Sequence, residues 1–158
     1  MPGRRLPASA VAELAAGFNG QLVQPGDPDY DEARAVFNGM IDRRPALVAR
    51  CTGLADVVAA VKFARAQELL VAVRAGGHSV PGYGTCDGGI VIDVAPMKGV
   101  WVDAEAGIAR AESGLTWGEF DRETQVFGLA TTGGRRTSTG VAGQTLGSGS
   151  GEMRRAPL

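Results

Sequence analysis

The sequence predicts an α+β fold, with a parallel βαβ first lobe followed by the start of an antiparallel second lobe. Three observations carry this reading. Two apolar runs, residues 46–50 and 69–74, flank a segment where Leu54, Val57, Val58, Val61 and Ala64 recur at helical spacing. Strand, helix and strand in about 30 residues make a βαβ unit, expected as a parallel strand pair with a right-handed crossover. Three more strand candidates follow at 90–94, 100–102 and 107–112. The 24 glycines are not spread evenly but cluster at 74–89 and 133–151. Such clusters mark loops whose bare backbone approaches something closely.

Taken in order, residues 8–18 read as a short helix with Ser9 as a candidate N-cap. Residues 24–30 are turn chemistry (Gln24-Pro25-Gly26-Asp27-Pro28-Asp29-Tyr30), and one or two helical turns are expected at 31–40. The helix after the first strand has Thr52 as a candidate cap and Asp56 in its first turn, where the helix dipole favours a carboxylate. Thr116-Trp117-Gly118-Glu119 has capping-box spacing and predicts a helix to about Phe127. Beyond Leu129 the chain is mostly Gly, Thr, Ser and Arg, with Val141 and Leu146 as its large apolar residues. The expected units are a helical lead-in at 1–42 and a cofactor-binding domain at 43–158.

Composition excludes several classes. The 158 residues are 44% hydrophobic and 21% charged, an ordinary globular balance, and the net charge of −1 makes no case for nucleic acid or an anionic membrane. Two cysteines and one histidine form neither a disulfide framework nor a metal cluster, so no metal is expected. Arg4-Arg5 is not followed by the apolar stretch that a secretory or twin-arginine signal needs, and no segment has the ~18 apolar residues of a membrane span. A soluble, cytoplasmic protein is the expectation.

The stretch richest in chemistry is Arg74-Ala75-Gly76-Gly77-His78-Ser79, which leaves the second strand of the βαβ unit and contains the chain's one histidine. Its loop lies at the carboxyl end of a parallel strand, where α/β proteins bind ligands, and successive glycine N–H groups can converge on a phosphate. Three phosphate or nucleophile motifs fail. No Walker-type Gly-x-x-x-x-Gly-Lys is present, and Gly147-Ser148-Gly149-Ser150-Gly151 lacks both the dinucleotide spacing and a preceding strand. Gly77-His78-Ser79-Val80-Pro81 departs from a nucleophile elbow at Pro81, and no histidine follows it to serve as base. Read alone, His78 could equally be a surface or capping residue in a glycine turn.

The run Val73-Arg74-Ala75-Gly76-Gly77-His78-Ser79-Val80-Pro81-Gly82-Tyr83 resembles the flavin-attachment loop of FAD-linked oxidases of the berberine-bridge-enzyme-like group. Their FAD-binding domain is of the vanillyl-alcohol oxidase and p-cresol methylhydroxylase type. The likeness extends to Tyr30–Asn38, to Arg44-Pro45-Ala46-Leu47-Val48 and to Asp56-Val57-Val58-Ala59-Ala60-Val61. It continues in Gly128-Leu129-Ala130-Thr131-Thr132-Gly133-Gly134 and in Thr139-Gly140-Val141-Ala142-Gly143.

The resemblance implies FAD as cofactor, with His78 joined through a ring nitrogen to the flavin 8α-methyl. It implies that Gly76, Gly77 and Ser79 meet the pyrophosphate, and that Arg74, Tyr83, Thr132, Gly133, Gly140 and Gly143 line the rest. Some members carry a second link from a cysteine where this chain has Arg136, so one covalent bond is implied. In complete form, the activity implied is hydride transfer from a hydroxyl-bearing small molecule to FAD, with reoxidation by oxygen. A non-catalytic FAD-binding remnant, or a reductase or synthase on the same fold, is the open alternative. Gly147–Gly151 stands where the family has Gly-Gly-Gly-x-Gly, and the family continues well beyond this length. A truncated part is therefore expected, one that needs a missing C-terminal portion or a partner chain, with no catalytic base assigned. Trp101 and Trp117 read as core or interface aromatics, Cys51 and Cys86 as structural thiols, and Arg135-Arg136 as a solvated charge pair. Asp93 reads as a strand-end carboxylate that serves local backbone donors.

Overall fold

The computed structural model describes residues 5–147. The glycine–serine run from 148 onward and Arg154-Arg155 lie outside them. Four strands form one mixed sheet: β1 (Gln21–Val23), β2 (Leu47–Arg50), β3 (Val71–Arg74) and β4 (Ile90–Asp93). Helices α1 (Ala8–Ala15) and α2 (Tyr30–Arg34) precede β2, and α3 (Leu54–Ala66) links β2 to β3. A separate hairpin, β5 (Val100–Asp103) with β6 (Ile108–Ala111), is followed by α4 (Trp117–Gln125) and α5 (Val141–Gly147).

The βαβ unit forms, but its strands are not neighbours. The sheet order is β1-β2-β4-β3, with β4 parallel to both β2 and β3, and β1 antiparallel at the far edge. This corrects the expected β2–β3 pair. The reason lies in the side chains: all four residues of Ile90-Val91-Ile92-Asp93 are buried, whereas Val71 and Val73 of β3 are exposed. A strand apolar on both faces belongs at the centre of a parallel sheet, and one with an open face belongs at its edge.

Alternation along the strands divides the core in two. Leu47, Ala49, Ile90 and Ile92 pack towards Ala60, Phe63 and Ala64 of α3 and Val11 and Leu14 of α1. Val48, Val91 and Ala72 face the other way, towards Val23, Tyr30, Ala33 and Cys86. Period-two alternation thus lets one short sheet serve two apolar layers.

The helix starts differ from expectation at two places. Pro7, not Ser9, precedes α1, without a side-chain cap. Gly53, not Thr52, occupies the N-cap of α3. The donors of Thr52 are taken by Asp56, whose Oδ2 accepts from the Thr52 amide and hydroxyl (both 2.9 Å), while its Oδ1 accepts from Asn19 N (2.8 Å). Burial alone would raise the Asp56 pKa, yet these donors hold it below the ordinary carboxylate value. The capping box of α4 forms as expected: Glu119 N donates to Thr116 Oγ1, and Thr116 N donates to Glu119 Oε2 at 2.8 Å. Trp117 is buried edge-on to Phe120, whereas Trp101 is half-exposed beneath the Arg110 guanidinium. Strand β1 and helix α5 are additions that the sequence reading lacks. No helix among the described residues is long and apolar enough to cross a membrane, and no group of His, Cys, Asp or Glu there could hold a metal ion.

Two outcomes follow from these environments. Burial of Glu119 is outweighed by Lys98 Nζ at 2.6 Å and the Thr116 donors, which hold its carboxyl at about 2 against an ordinary 4.5. A depressed carboxylate stabilises the fold above its unfolded pKa and loses that contribution as pH falls through the folded one. The melting temperature of the wild type therefore falls more steeply between pH 4.5 and 2 than that of Glu119→Gln, which keeps the box but cannot titrate; parallel pH profiles would contradict this. Cys51 and Cys86 are free and buried, and burial raises both thiols, Cys51 to about 12. Iodoacetamide at pH 8 should label neither in the native protein and both after denaturation.

Candidate cofactor site

Arg50, Asp93 and Arg74 end three adjacent parallel strands in register, which sets them side by side at the carboxyl edge of the sheet. Asp93 is 1% exposed; its Oδ2 lies 2.7 Å from Arg74 Nη2 and 3.6 Å from Arg50 Nε, and its Oδ1 accepts from Ala95 N at 3.1 Å. The strand-end role read for Asp93 thus holds, with an arginine pair added. Arg74 Nη1 also donates to Ala35 O at 2.8 Å. The residue that launches the glycine loop is therefore anchored to the sheet and to the lead-in together.

The lead-in, with Arg43 just beyond it, straps the loop along its length. Phe37 N donates to Gly77 O (3.1 Å), Asn38 Nδ2 to Val80 O (2.8 Å), and Arg43 Nη1 to both Gly82 O and Thr85 O (2.9 Å each). Ser79 Oγ accepts from Tyr83 N at 3.1 Å and closes the turn. Gly77 and Gly82 adopt φ of +69° and +77°, the left-handed region that favours glycine. A Cβ on Gly82 would also meet Ile41 Cγ2 at 2.8 Å.

The second glycine segment is brought to the first by α4. Trp117 N donates to Thr139 O, Gly118 N to Thr137 O, and Val141 N to Leu115 O, each at 2.9 Å. The two segments then touch backbone to backbone. A Cβ on Gly76 would lie 2.5 Å from Gly140 N and 2.8 Å from Gly140 Cα, and one on Gly140 would lie 2.7 Å from Gly76 N. No side chain fits between them at either position.

Between these segments opens a cavity of about 580 Å³, lined by Val73–Pro81, Tyr83, Gly84, Thr139, Gly140, Gly143, Gln144 and Gly147. It gathers His78, Arg74, Gly76, Gly77, Ser79, Tyr83, Gly140 and Gly143 from the residues predicted to hold cofactor. Thr132 and Gly133 do not reach it. Thr132 is exposed, and a Cβ on Gly133 would meet the Trp117 ring at 2.7 Å, so that glycine seats the indole. A second cavity of about 610 Å³ lies across the strap, lined by Arg50, Arg74, Asp93, Phe37 and the same loop. His78 borders both. Its ring stacks on Phe37 with centroids 4.3 Å apart and planes 19° from parallel. Gln144 of the inner cavity and Phe37 of the outer one add to the predicted site, while Asn38 and Arg43 support its loop. For Phe37 and Asn38 the available signal was their place in the lead-in motif beside the histidine loop.

The donor set suits a dinucleotide cofactor. Glycines on both walls bare their backbone, the left-handed Gly77 turns the loop, and one imidazole stands at the edge. Residues 45–157 match the family of the FAD binding domain. The chain belongs to this FAD-binding family. FAD is accordingly its cofactor. Over 134 residues it is 36% identical to (R)-6-hydroxynicotine oxidase of Paenarthrobacter nicotinovorans, a match covering 85% of this chain and 29% of the oxidase. The solved 6-hydroxy-D-nicotine oxidase of Arthrobacter nicotinovorans superposes with a TM-score of 0.78 at 35% identity, over 80% of this chain and 28% of that one. The BBE-like 1 protein of Physcomitrella patens gives 0.80 at 26% identity, over 87% and 30%. The chain thus spans about three-tenths of the length of the relatives it matches. The α+β fold and the resemblance to FAD-linked oxidases stand.

The loop contact can be broken selectively. Gly76→Ala should destabilise the protein by roughly 1–3 kcal/mol, because its methyl has to push Gly140 away. Gly143→Ala meets nothing within 4 Å and lies within α5, so it should be neutral or stabilising by up to about 1 kcal/mol. Denaturant unfolding of both variants decides the point, and equal effects would contradict the contact.

Proposed function

We propose that this chain is the flavin-holding part of an FAD-dependent oxidase that, in complete form, oxidises a hydroxyl-bearing small molecule. The observation that supports this best is the placement of His78, the chain's one histidine, at the edge of the cavity between the two glycine segments. When bound, FAD supplies two-electron redox chemistry, with dioxygen as the final acceptor. The residues of this chain bind and orient it. Gly76, Gly77, Gly140 and Gly143 present backbone to the cofactor, and the His78 imidazole serves as a single covalent tether. The Asp93 carboxylate holds Arg74 at the root of the loop, so that the loop keeps its position on the sheet edge.

Arg136 is exposed and borders neither cavity, in keeping with one tether. The titratable side chains bordering the inner cavity are Arg74, His78 and Tyr83, with no carboxylate among the described residues there. The group that takes the substrate proton is therefore assigned to polypeptide outside these residues or to a partner chain. The chain by itself is expected to hold flavin and turn over slowly or not at all. The proposed location is the cytoplasm.

Acid precipitation tests the tether. Yellow colour that stays with the precipitated wild-type protein, and is lost in His78→Ala, is the expected result. A folded wild-type protein that surrenders all its flavin to the supernatant would overturn the tether, and one that never takes up flavin would overturn the function.

A further inference from the structure

We propose that Phe37 is a positioning residue that sets the His78 imidazole for its bond to the flavin, an inference resting on the tether reading above. His78 follows two glycines and has no hydrogen bond to its ring nitrogens among the described residues. Nothing polar in the described protein therefore sets the plane of the ring. The phenyl ring of Phe37 does so, through a near-parallel stack at 4.3 Å and 19°.

Phe37 is 69% exposed, so its place is not explained by core burial. Its backbone is instead tied to the loop it orients, through Phe37 N to Gly77 O on one side of the histidine and Asn38 Nδ2 to Val80 O on the other. The segment carrying the phenyl ring is thereby tied to the loop at two points. The phenyl borders the outer cavity only, whereas the imidazole borders both. A stack covers a ring's face and leaves its edge uncovered, and the edge carries both nitrogens.

Bond formation needs a nitrogen lone pair, which lies in the ring plane, aimed at the 8α-carbon. The imidazole gives up its N–H for a bond to that carbon. The N–H proton, the hydrogen lost from the carbon and two electrons pass to the cofactor, and dioxygen removes them as hydrogen peroxide. Fixing the ring plane beforehand shortens the search for that geometry.

The test compares wild type, Phe37→Leu and Phe37→Tyr, each reconstituted with FAD, by the rate at which acid-stable flavin appears. Phe37→Leu should slow attachment roughly fivefold and Phe37→Tyr should restore it, with melting temperatures unchanged. A second readout needs no flavin: the single histidine gives one set of imidazole proton signals, shifted upfield by the phenyl ring. Those signals should move downfield in Phe37→Leu and not in Phe37→Tyr. Attachment in Phe37→Leu at the wild-type rate, or imidazole signals that stay in place, would overturn the proposal. A wild type without acid-stable flavin would overturn the tether reading, and the imidazole signals would still decide whether Phe37 orients His78.

Discussion

The backbone contact between Gly76 and Gly140 is the constraint on which the rest of the site depends. Two segments far apart in sequence approach so closely that neither position has room for a Cβ. That approach turns two ordinary glycine loops into facing walls of one cavity. It also requires that both segments be held from behind, since no side chain fits between Gly76 and Gly140. The sheet edge and the lead-in hold the first. Leu115 and the start of α4 hold the second, through the hydrogen bonds of Trp117 N to Thr139 O, Gly118 N to Thr137 O and Val141 N to Leu115 O.

Electrostatics completes the support at the sheet edge. Asp93 is buried, and a buried carboxylate persists only when paired and hydrogen-bonded. Parallel register gives it Arg50 on one side and Arg74 on the other, because all three residues end their strands at the same level. The pair with Arg74 is the tighter, and Arg74 is the residue from which the histidine loop departs. Central placement of β4 therefore does more than fill the core: it puts an anion where the loop's root needs one.

Much of this was legible in the residues. Helical spacing at 54–64 between two apolar runs foretold β2, α3 and β3, and the Thr116–Glu119 spacing foretold the start of α4. Strand order was not legible, because a βαβ crossover fixes the direction of its two strands but leaves room for another between them. The exposure of Val71 and Val73, which separates β3 from the buried Ile90-Val91-Ile92, is visible only in the folded chain. Ser9 and Thr52 failed as caps for different reasons, the one losing its place to Pro7 and the other giving its donors to Asp56. The three residues of β1 lie between Asn19-Gly20 and Pro25-Gly26, but so short a run shows too little alternation to reveal a strand. Within the site, the glycines and His78 could be read because their residue types are unusual together. Phe37 is marked in the sequence only by its place in the Tyr30–Asn38 motif, since its stack on His78 crosses distant sequence, and the seat that Gly133 gives the Trp117 ring is a packing that residue type alone does not reveal.

Amide hydrogen exchange with and without FAD tests the central claim most directly, namely that the two glycine segments are one binding site. The account predicts that added FAD slows exchange together in residues 75–84 and 137–144, with little change in the β5–β6 hairpin. Protection confined to one segment, or protection that spares both, would contradict it.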